Sequence, residues 1–313
     1  MAELTGTHRS VRELLDKLTA ESTVALRCSG AGRMLQPRRY GGFELPTDEF
    51  VSAVYELAAV DGSLGWLTAM FNAGAYEVAG LPEYVAHDVW GADPDALITI
   101  AYRGSGALAN GRLTGRWESV VGADQAEWLL LPVAKRVALV PRDGVRVEPV
   151  SRQPGLGAAG VCDLTASDLA VDDRHVFTNY RDRAAVIVGV GAAAAVVGSA
   201  DGVWRKHVDQ VRTRLATSYG GDEVTNEAAA QVARAASDID AARLQLTASL
   251  QPPADLVAAG WAHRQAVARA RGAADRLLGS SRHALDASDS VTHLWRDVHA
   301  GCQLAVQLLE RLE

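Results

Sequence analysis

Two pairs of polar side chains are spaced four residues apart, which is about one turn of an α-helix. Asn72 and Tyr76 form one pair within the apolar run LTAMFNAGAYEVAGL, and His299 and Gln303 form the other near the end of the chain. Residues four apart lie on the same face of a helix. A histidine beside an amide is suited to acid–base chemistry or to hydrogen bonding with a ligand. His299, Gln303 and Asn72 are therefore candidate catalytic residues, and Tyr76 is a candidate for the wall of a substrate pocket.

Each of these residues also has a purely structural interpretation. His299 follows Trp295 by four positions in LWRDVHAG, and a histidine packed on a tryptophan in a helix bundle is more often structural than catalytic. Arg296 and Asp297, between them, are expected to form an ion pair that packs helices together. Trp66 is as well explained by core packing as by contact with an aromatic ligand.

The stretch GRWESVVGADQAEW, residues 115–128, is typical of a β-strand that turns into a loop. Trp117 and Trp128 frame it, and Gly122 interrupts it. An indole ring can stack on an aromatic ligand, a serine hydroxyl such as that of Ser119 can form hydrogen bonds, and backbone N–H groups around Gly122 are expected to donate. The stretch is either the cradle of a cofactor or the wall of a sheet.

Composition excludes several classes of protein. The 313 residues carry a net charge of −7, with 48% hydrophobic and 22% charged residues, which predicts neither nucleic acid nor an anionic membrane as partner. Residues 184–200 are apolar enough to span a bilayer, but their glycine and alanine content favours a buried helix. The N-terminal residues lack the apolar segment of a secretory signal. Three scattered cysteines predict no metal site and a reduced, cytoplasmic setting.

Secondary-structure signals divide the chain into three zones. Residues 1–94 have the spacing of amphipathic helices, including one over 9–27, with an interruption at Asp61-Gly62. Residues 95–178 contain short β-branched runs separated by turn signals, and Asn110-Gly111 predicts a tight hairpin. Residues 179–313 return to long, alanine-rich helices. We expect an α+β protein with an N-terminal helical domain, a small antiparallel β-barrel or sandwich, and a C-terminal helical bundle.

This order of zones resembles the acyl-CoA dehydrogenase fold, and four motifs resemble its flavin-dependent, two-component monooxygenase branch. They occur in the expected order between about residues 30 and 304: MLQPRRYGGFEL (34–45), LAAVDGSLGW (57–66), AASDIDAARLQL (235–246) and THLWRDVHAG (292–301). Members of that branch use reduced flavin from a separate reductase, and many hydroxylate phenols. The resemblance implies that the flavin ring lies between the β-zone and the C-terminal helices, with its polar edge held by the loop within 115–128.

The resemblance assigns candidate residues and also reveals departures. It places Trp117, Ser119, Val120 and Gly122 at the flavin ring, Arg212 near a flavin phosphate, and Trp66 and Tyr76 in the substrate pocket. Two serines of the family's loop are replaced by Val120 and Val121, which offer no side-chain hydrogen bond. The two histidines of the family's hydroxylases correspond to positions near Gly74 and Leu304. We therefore expect weak binding of flavin.

Three functions are compatible with these observations. The first is a reduced-flavin-dependent monooxygenase that uses diffusible FMN or FAD and acts on a small or polycyclic aromatic substrate, in secondary metabolism. The second is a flavin-free relative that performs cyclisation or isomerisation in the same pocket, and the third is a non-catalytic partner of a full-length homologue. The exposed apolar faces predicted over 226–250 and 257–279 indicate a homodimer or homotetramer.

Overall fold

The computed structural model describes residues 26–27, 29–150, 154–178, 181–218, 223–251, 255–279, 286 and 288–310. Of the helix predicted over 9–27, all but the last two residues lie outside these ranges. Within them, helices flank a central group of strands, as the sequence predicts.

The N-terminal zone contains the α-helices α1 (Thr47–Val60), α2 (Gly62–Ala79) and α3 (Glu83–Trp90). Helices α1 and α2 meet at Asp61, the position of the predicted interruption. The Asp61 carboxylate accepts hydrogen bonds from the backbone N–H groups of Ser63 and Leu64, at 2.8 and 3.2 Å, and so caps α2. Helix α2 is buried along almost its whole length, which is typical of a helix that is apolar on all sides.

The strands form two four-stranded sheets. The first has the order β1 (Ile98–Ile100), β4 (Trp128–Val133), β5 (Arg136–Pro141) and β8 (Val176–Thr178); the second has the order β2 (Gly104–Ala109), β3 (Arg112–Val120), β7 (Cys162–Ala170) and β6 (Arg146–Pro149). The two sheets form an open sandwich and do not close into a barrel, which was the predicted alternative. The described strand pairs are antiparallel, as predicted, except β1 and β4, which pair in parallel.

A tight turn and a tryptophan organise the second sheet. Asn110 and Gly111 join β2 to β3 with φ values of 50° and 71°, the two left-handed residues that a two-residue hairpin needs. The Trp117 side chain lies fully buried in the sandwich, and its Nε1 donates to the carbonyl oxygen of Pro132 in the other sheet at 3.0 Å. Its ring covers Gly106 and Gly115, where a Cβ atom would come within 2.9 Å of the indole.

The C-terminal zone contains α4 (Arg181–Thr217), α5 (Asn226–Ser249), α6 (Leu256–Gly279) and α7 (Ser290–Leu309). Helix α4 is long and apolar enough to cross a membrane, but 94% of its most apolar window is buried inside the protein, as its small residues predicted. It packs against α1 and α2 as well as α6 and α7. The helices from the two ends of the chain therefore share one core, and the strands attach to its side.

Candidate functional site

A small cavity lies where the three zones meet. Its volume is about 30 Å³, which is room for one or two water molecules. The residues that line it come from α2, from the strands and from the last turns of α7: Trp66, Met70, Ile100, Tyr102, Arg103, Glu118, Ser119, Val121, Leu304, Gln307 and Leu308. The junction of α2, β3 and α7 is where the sequence predicted a ligand site.

Trp66 supplies the aromatic wall of the cavity. The side chain is 1% exposed, and its Nε1 has no hydrogen-bond partner among the described residues. Gly301 of α7 makes room for this indole, since a Cβ atom at Gly301 would lie 2.8 Å from Nε1. Leaving a buried donor unpaired is unfavourable, so the indole N–H is a hydrogen-bond donor that a bound water or ligand can satisfy.

The stretch 115–128 turns at Ser119, where β3 contains a bulge against β7. Ser119 has φ of 54°, and its backbone N–H donates to Asp163 Oδ1 at 3.1 Å. Ser119 and Val121 line the cavity. Val120 does not line it and instead pairs with Cys162 of β7. The bulge therefore turns one of the two valines, not both, towards the candidate site.

The backbone N–H of Gly122 is hydrogen-bonded within the chain. Its φ is 71°, and its N–H donates to the carbonyl oxygens of Ala159 and Gly160 at 2.9 and 3.0 Å. A side chain there would meet the ring of Phe71 at 2.7 Å. Contrary to our expectation, this N–H is already engaged and does not point a free donor at a ligand.

The remaining predicted cofactor residues lie away from the cavity. Trp117 is enclosed between the sheets, as described above, so the expected stacking on a ligand has no exposed ring face. Arg212 is exposed near the end of α4, 3.9 Å from Asp209. Because α4 runs antiparallel to α7, with Gln210 bonded to Asp289 at the start of α7, Arg212 lies roughly 25 Å along the bundle from Leu304.

The predicted polar residues of α2 are also engaged elsewhere. Asn72 is fully buried: its Oδ1 accepts from the N–H of Leu35 at 2.9 Å, and its Nδ2 donates to the carbonyl oxygens of Ala31 and Thr68 at 2.6 and 2.8 Å. It therefore ties the segment before α1 to α2. Tyr76 is partly buried against the core and does not line the cavity.

The predicted pair on α7 does not face the cavity either. His299 Nε2 lies 2.7 Å from Asp275 Oδ1 of α6, and its ring packs 4.2 Å from that of Trp295. Trp295 Nε1 donates to the same carboxylate oxygen at 2.9 Å. Gln303 is exposed. The side chains of α7 that line the cavity are those of Leu304, Gln307 and Leu308. Gln307 lies one turn beyond Gln303 on the same face, whereas Leu304 and Leu308 lie on the neighbouring face.

Sequence reasoning missed the polar groups at the cavity mouth. Arg103 Nε lies 3.3 Å from Glu118 Oε2, with both side chains close to half exposed, and the Glu118 N–H donates to the Arg103 carbonyl oxygen at 3.0 Å. Gln307 completes this rim. Arg103 and Glu118 belong to no recognisable sequence motif, and the pairing of β2 with β3 brings them together. The spacing of Gly301, Leu304 and Leu308 on α7 was the available signal for the inner face.

Asp297 has a different partner from the predicted one. It is 1% exposed, and its Oδ1 accepts from the N–H of Leu156 at 2.6 Å. It also accepts from the N–H of Gly62 at the start of α2, and its Oδ2 lies 3.7 Å from His293 Nε2. Burial raises the pKa of this carboxyl to about 6, against the lowering effect of these hydrogen bonds. The expected pairing with Arg296 is not among the ion pairs of the described residues.

Thiol and metal chemistry find no support in the described part of the chain. Burial raises the pKa of Cys162 to about 11 and that of Cys302 to about 12, so both thiols stay protonated at neutral pH and are poor nucleophiles. No group of three or more histidine, cysteine, aspartate or glutamate side chains suited to a metal ion occurs among the described residues.

The cavity as it stands does not enclose a flavin ring. Its volume of about 30 Å³ is far below the roughly 300–1,000 Å³ that is usual for pockets that enclose a ligand of that size. The loop that would hold the ring's polar edge offers the Ser119 hydroxyl, but it has valine at 121 and an occupied N–H at Gly122. The cavity therefore lacks both the space and the hydrogen-bonding groups that would hold a flavin ring firmly.

Comparison with known proteins finds one matching family model and several similar proteins. Residues 190–307 match the model for the acyl-CoA dehydrogenase C-terminal domain. The chain is 29% identical, over 92% of its length and 88% of the relative, to the flavin-dependent monooxygenase oxygenase subunit HsaA of Rhodococcus jostii. It is 28% identical, over 72% of its length and 64% of the relative, to the oxygenase component of an FADH(2)-dependent resorcinol hydroxylase of a Rhizobium species.

The fold agrees with this relationship. The crystal structure of the HsaA monooxygenase from M. tuberculosis superimposes with a TM-score of 0.83 at 26% identity, covering 99% of this chain and 95% of that one. The chain therefore shares the fold of that monooxygenase over nearly its whole length. In sequence and in fold, the chain is thus similar to flavin-dependent monooxygenases of the acyl-CoA dehydrogenase-like type.

Proposed function

We propose that this chain is the oxygenase component of a reduced-flavin-dependent monooxygenase that acts on an aromatic substrate. The observation that supports this most directly is the similarity to oxygenase subunits over 92% of the chain. The candidate site agrees with an aromatic ligand, since an apolar floor of Trp66, Met70 and Leu308 meets a polar rim at Arg103 and Glu118. A lining of this kind holds a flat ring by apolar contact and orients it by a few polar groups, once the cavity of about 30 Å³ has widened to admit the ring.

The finer parts of the proposal concern the partners. We propose that reduced FMN or FAD reaches the chain by diffusion from a separate reductase, because a site this small does not retain a flavin tightly. The substrate is a small or polycyclic aromatic compound, and the setting is the cytoplasm, in secondary metabolism. Resorcinol and indole-3-acetate, named for two relatives, are starting points for a substrate panel.

A second candidate is a flavin-free relative that performs non-redox chemistry or serves as the partner of a catalytic homologue. The observation that favours it is the size of the cavity together with the engagement of the Gly122 N–H. A polar rim at Arg103 and Glu118 fits cyclisation or isomerisation better than a wholly inert partner, because it provides a charged pair at the entrance.

Anaerobic titration with reduced FMN and reduced FAD separates these functions. Under the leading proposal, one reduced flavin binds with micromolar affinity, and addition of oxygen and an aromatic panel gives a product that contains one added oxygen atom. Absence of binding by either redox form at high micromolar concentration would rule the leading proposal out. Turnover of an aromatic compound without flavin would then support the second candidate, and co-purification with a homologue would support a partner role.

A further inference from the structure

Two leucines of α7 line the cavity. Leu304 and Leu308 are one helical turn apart, both line the cavity, and Leu308 is 5% exposed. Gly301, one turn earlier on the same face, lets α7 lie close to Trp66. Helix α7 therefore packs against α2, and Leu304 and Leu308 form the α7 wall of the cavity between α2 and β3. We call these two side chains the leucine plug.

The missing hydroxyls of the loop account for less of the expected weak flavin binding than the leucine plug does. Of the two valines that replace family serines, Val120 pairs with Cys162 and does not line the cavity. Only the hydroxyl that Val121 lacks could therefore reach a ligand, and one neutral hydrogen bond changes affinity by roughly tenfold or less. Close-packed side chains, by contrast, exclude a ring that lacks space however many donors surround it.

We infer that the leucine plug, rather than the loss of polar groups from the 119–122 loop, determines whether this site admits a three-ring ligand. The inference rests on the proposed function for the identity of that ligand, a reduced flavin, but its steric part is independent of it. Removing the plug is expected to join the cavity of about 30 Å³ to the volume vacated by the two side chains. The enlarged space is bounded by Trp66, Met70 and Val121, which suit a flat aromatic ring.

Three matched variants test the inference by anaerobic titration with reduced FMN and FAD. Leu304→Ala combined with Leu308→Ala removes the plug, and we expect it to raise flavin affinity at least tenfold over the unmodified chain. Val121→Ser restores the polar group instead, and we expect a change of less than threefold. If Val121→Ser improves binding as much as the plug variant does, the inference is overturned.

Leu309→Ala controls for general loosening of α7. Leu309 is 2% exposed on the same helix, but it packs towards α4, where its Cδ2 lies 3.2 Å from the Cβ position of Gly189. This variant loses a comparable apolar side chain without opening the cavity, so we expect no gain in flavin affinity. A gain equal to that of the plug variant contradicts the inference. If the double variant does not fold, Leu304→Val and Leu308→Val are compared in the same way, with an expected gain of at least threefold.

Indole provides a readout that does not depend on flavin. An apolar cavity opened by truncating a leucine can bind a small aromatic molecule, so a crystal of the plug variant soaked with indole should show the ring between Trp66 and Val121. Indole in that place without any flavin binding supports the plug and counts against flavin dependence. Neither indole nor flavin in the variant means that Leu304 and Leu308 do not control the site, and the inference fails.

Discussion

Asp297 shows how one buried side chain links three parts of this fold. Its carboxylate receives the backbone N–H groups of Leu156 and of Gly62, which belong to a loop and to the start of α2. Two carboxylates, Asp61 and Asp297, therefore serve the N-terminal end of α2, where the helix dipole favours negative charge. His293 lies one helical turn before Asp297 on α7 and partly compensates the buried negative charge. The cost of burying the charge still exceeds these gains, since the pKa of Asp297 is raised to about 6.

The raised pKa of Asp297 predicts a pH-dependent stability that Asp297→Asn removes. A carboxyl whose pKa rises from 3.8 in the unfolded chain to about 6 in the folded one binds its proton more tightly when folded. Its contribution to stability is complete below pH 4 and is lost as the pH rises through 6, by roughly 3 kcal/mol. The free energy of unfolding, measured in urea between pH 4 and 7.5, should fall more steeply for the unmodified chain than for Asp297→Asn.

The comparison of the two slopes isolates Asp297 from the other titrating groups, of which Asp61 and His293 are its nearest charged neighbours. The asparagine retains an oxygen that can accept from the Leu156 N–H, so this variant is expected to fold. Parallel pH profiles for the two proteins would show that Asp297 does not titrate in this range.

At the scale of elements, the 154–160 loop connects the helical core to the cavity wall. Its Leu156 N–H is held by Asp297, and its Ala158 N–H donates to Ser63 Oγ at 3.3 Å. The carbonyl oxygens of Ala159 and Gly160 accept from Gly122, next to the cavity-lining Val121. Position 121 is thus set by a path that runs from α7 through a loop of small residues, whose size permits the close approach.

Two glycines of the 154–160 loop predict opposite outcomes. A Cβ atom at Gly155 would collide with the Arg296 carbonyl group of α7, whereas one at Gly157 would meet no atom within 4 Å. Gly155→Ala should therefore lower the free energy of unfolding by about 1–3 kcal/mol, because backbone must shift to admit the methyl group. Gly157→Ala should stay within about 0.5 kcal/mol of the unmodified chain. Equal denaturation midpoints for the two variants would show that the loop does not pack tightly against α7.

At the scale of the whole molecule, apolar side chains remain exposed on the C-terminal bundle. Leu244 of α5 is 70% exposed, and Val257 and Trp261 of α6 are 68% and 56% exposed. These helices are the ones whose apolar surface predicted self-association, and large exposed apolar residues are enriched in protein interfaces. The homodimer or homotetramer stays a prediction that these surfaces favour.

The proposed self-association predicts a distinct behaviour for Leu244→Glu. A charge placed in an apolar interface is costly to bury, so this variant should shift the molecular mass in solution towards the monomer. Val60→Glu is the matched control, because Val60 is 46% exposed at the end of α1, outside the C-terminal bundle. Size-exclusion chromatography with light scattering measures both. A monomeric unmodified chain at micromolar concentration, or an equal shift in both variants, would contradict the prediction.

Features that depend on neighbouring residues were predictable from the sequence. The Asn110-Gly111 hairpin requires two residues that tolerate positive φ, and the break at Asp61-Gly62 requires a capping carboxylate. The burial of residues 187–200 follows from their composition, and the helix–strand–helix order follows from the periodicity of apolar residues. Each of these signals acts over a few residues, so each survives without knowledge of the rest of the fold.

Trp66 and Ser119 were candidates from the sequence and do line the cavity, but the other cavity residues were decided by tertiary structure. A single bulge at Ser119 sends Val121 to the cavity and Val120 to β7, and the rotation of α7 presents Leu304 and Leu308 in place of His299 and Gln303. Side chains one position apart on a strand or a helix point in different directions. A motif therefore indicates which elements meet, whereas packing between positions more than a hundred residues apart fixes which of their side chains face one another.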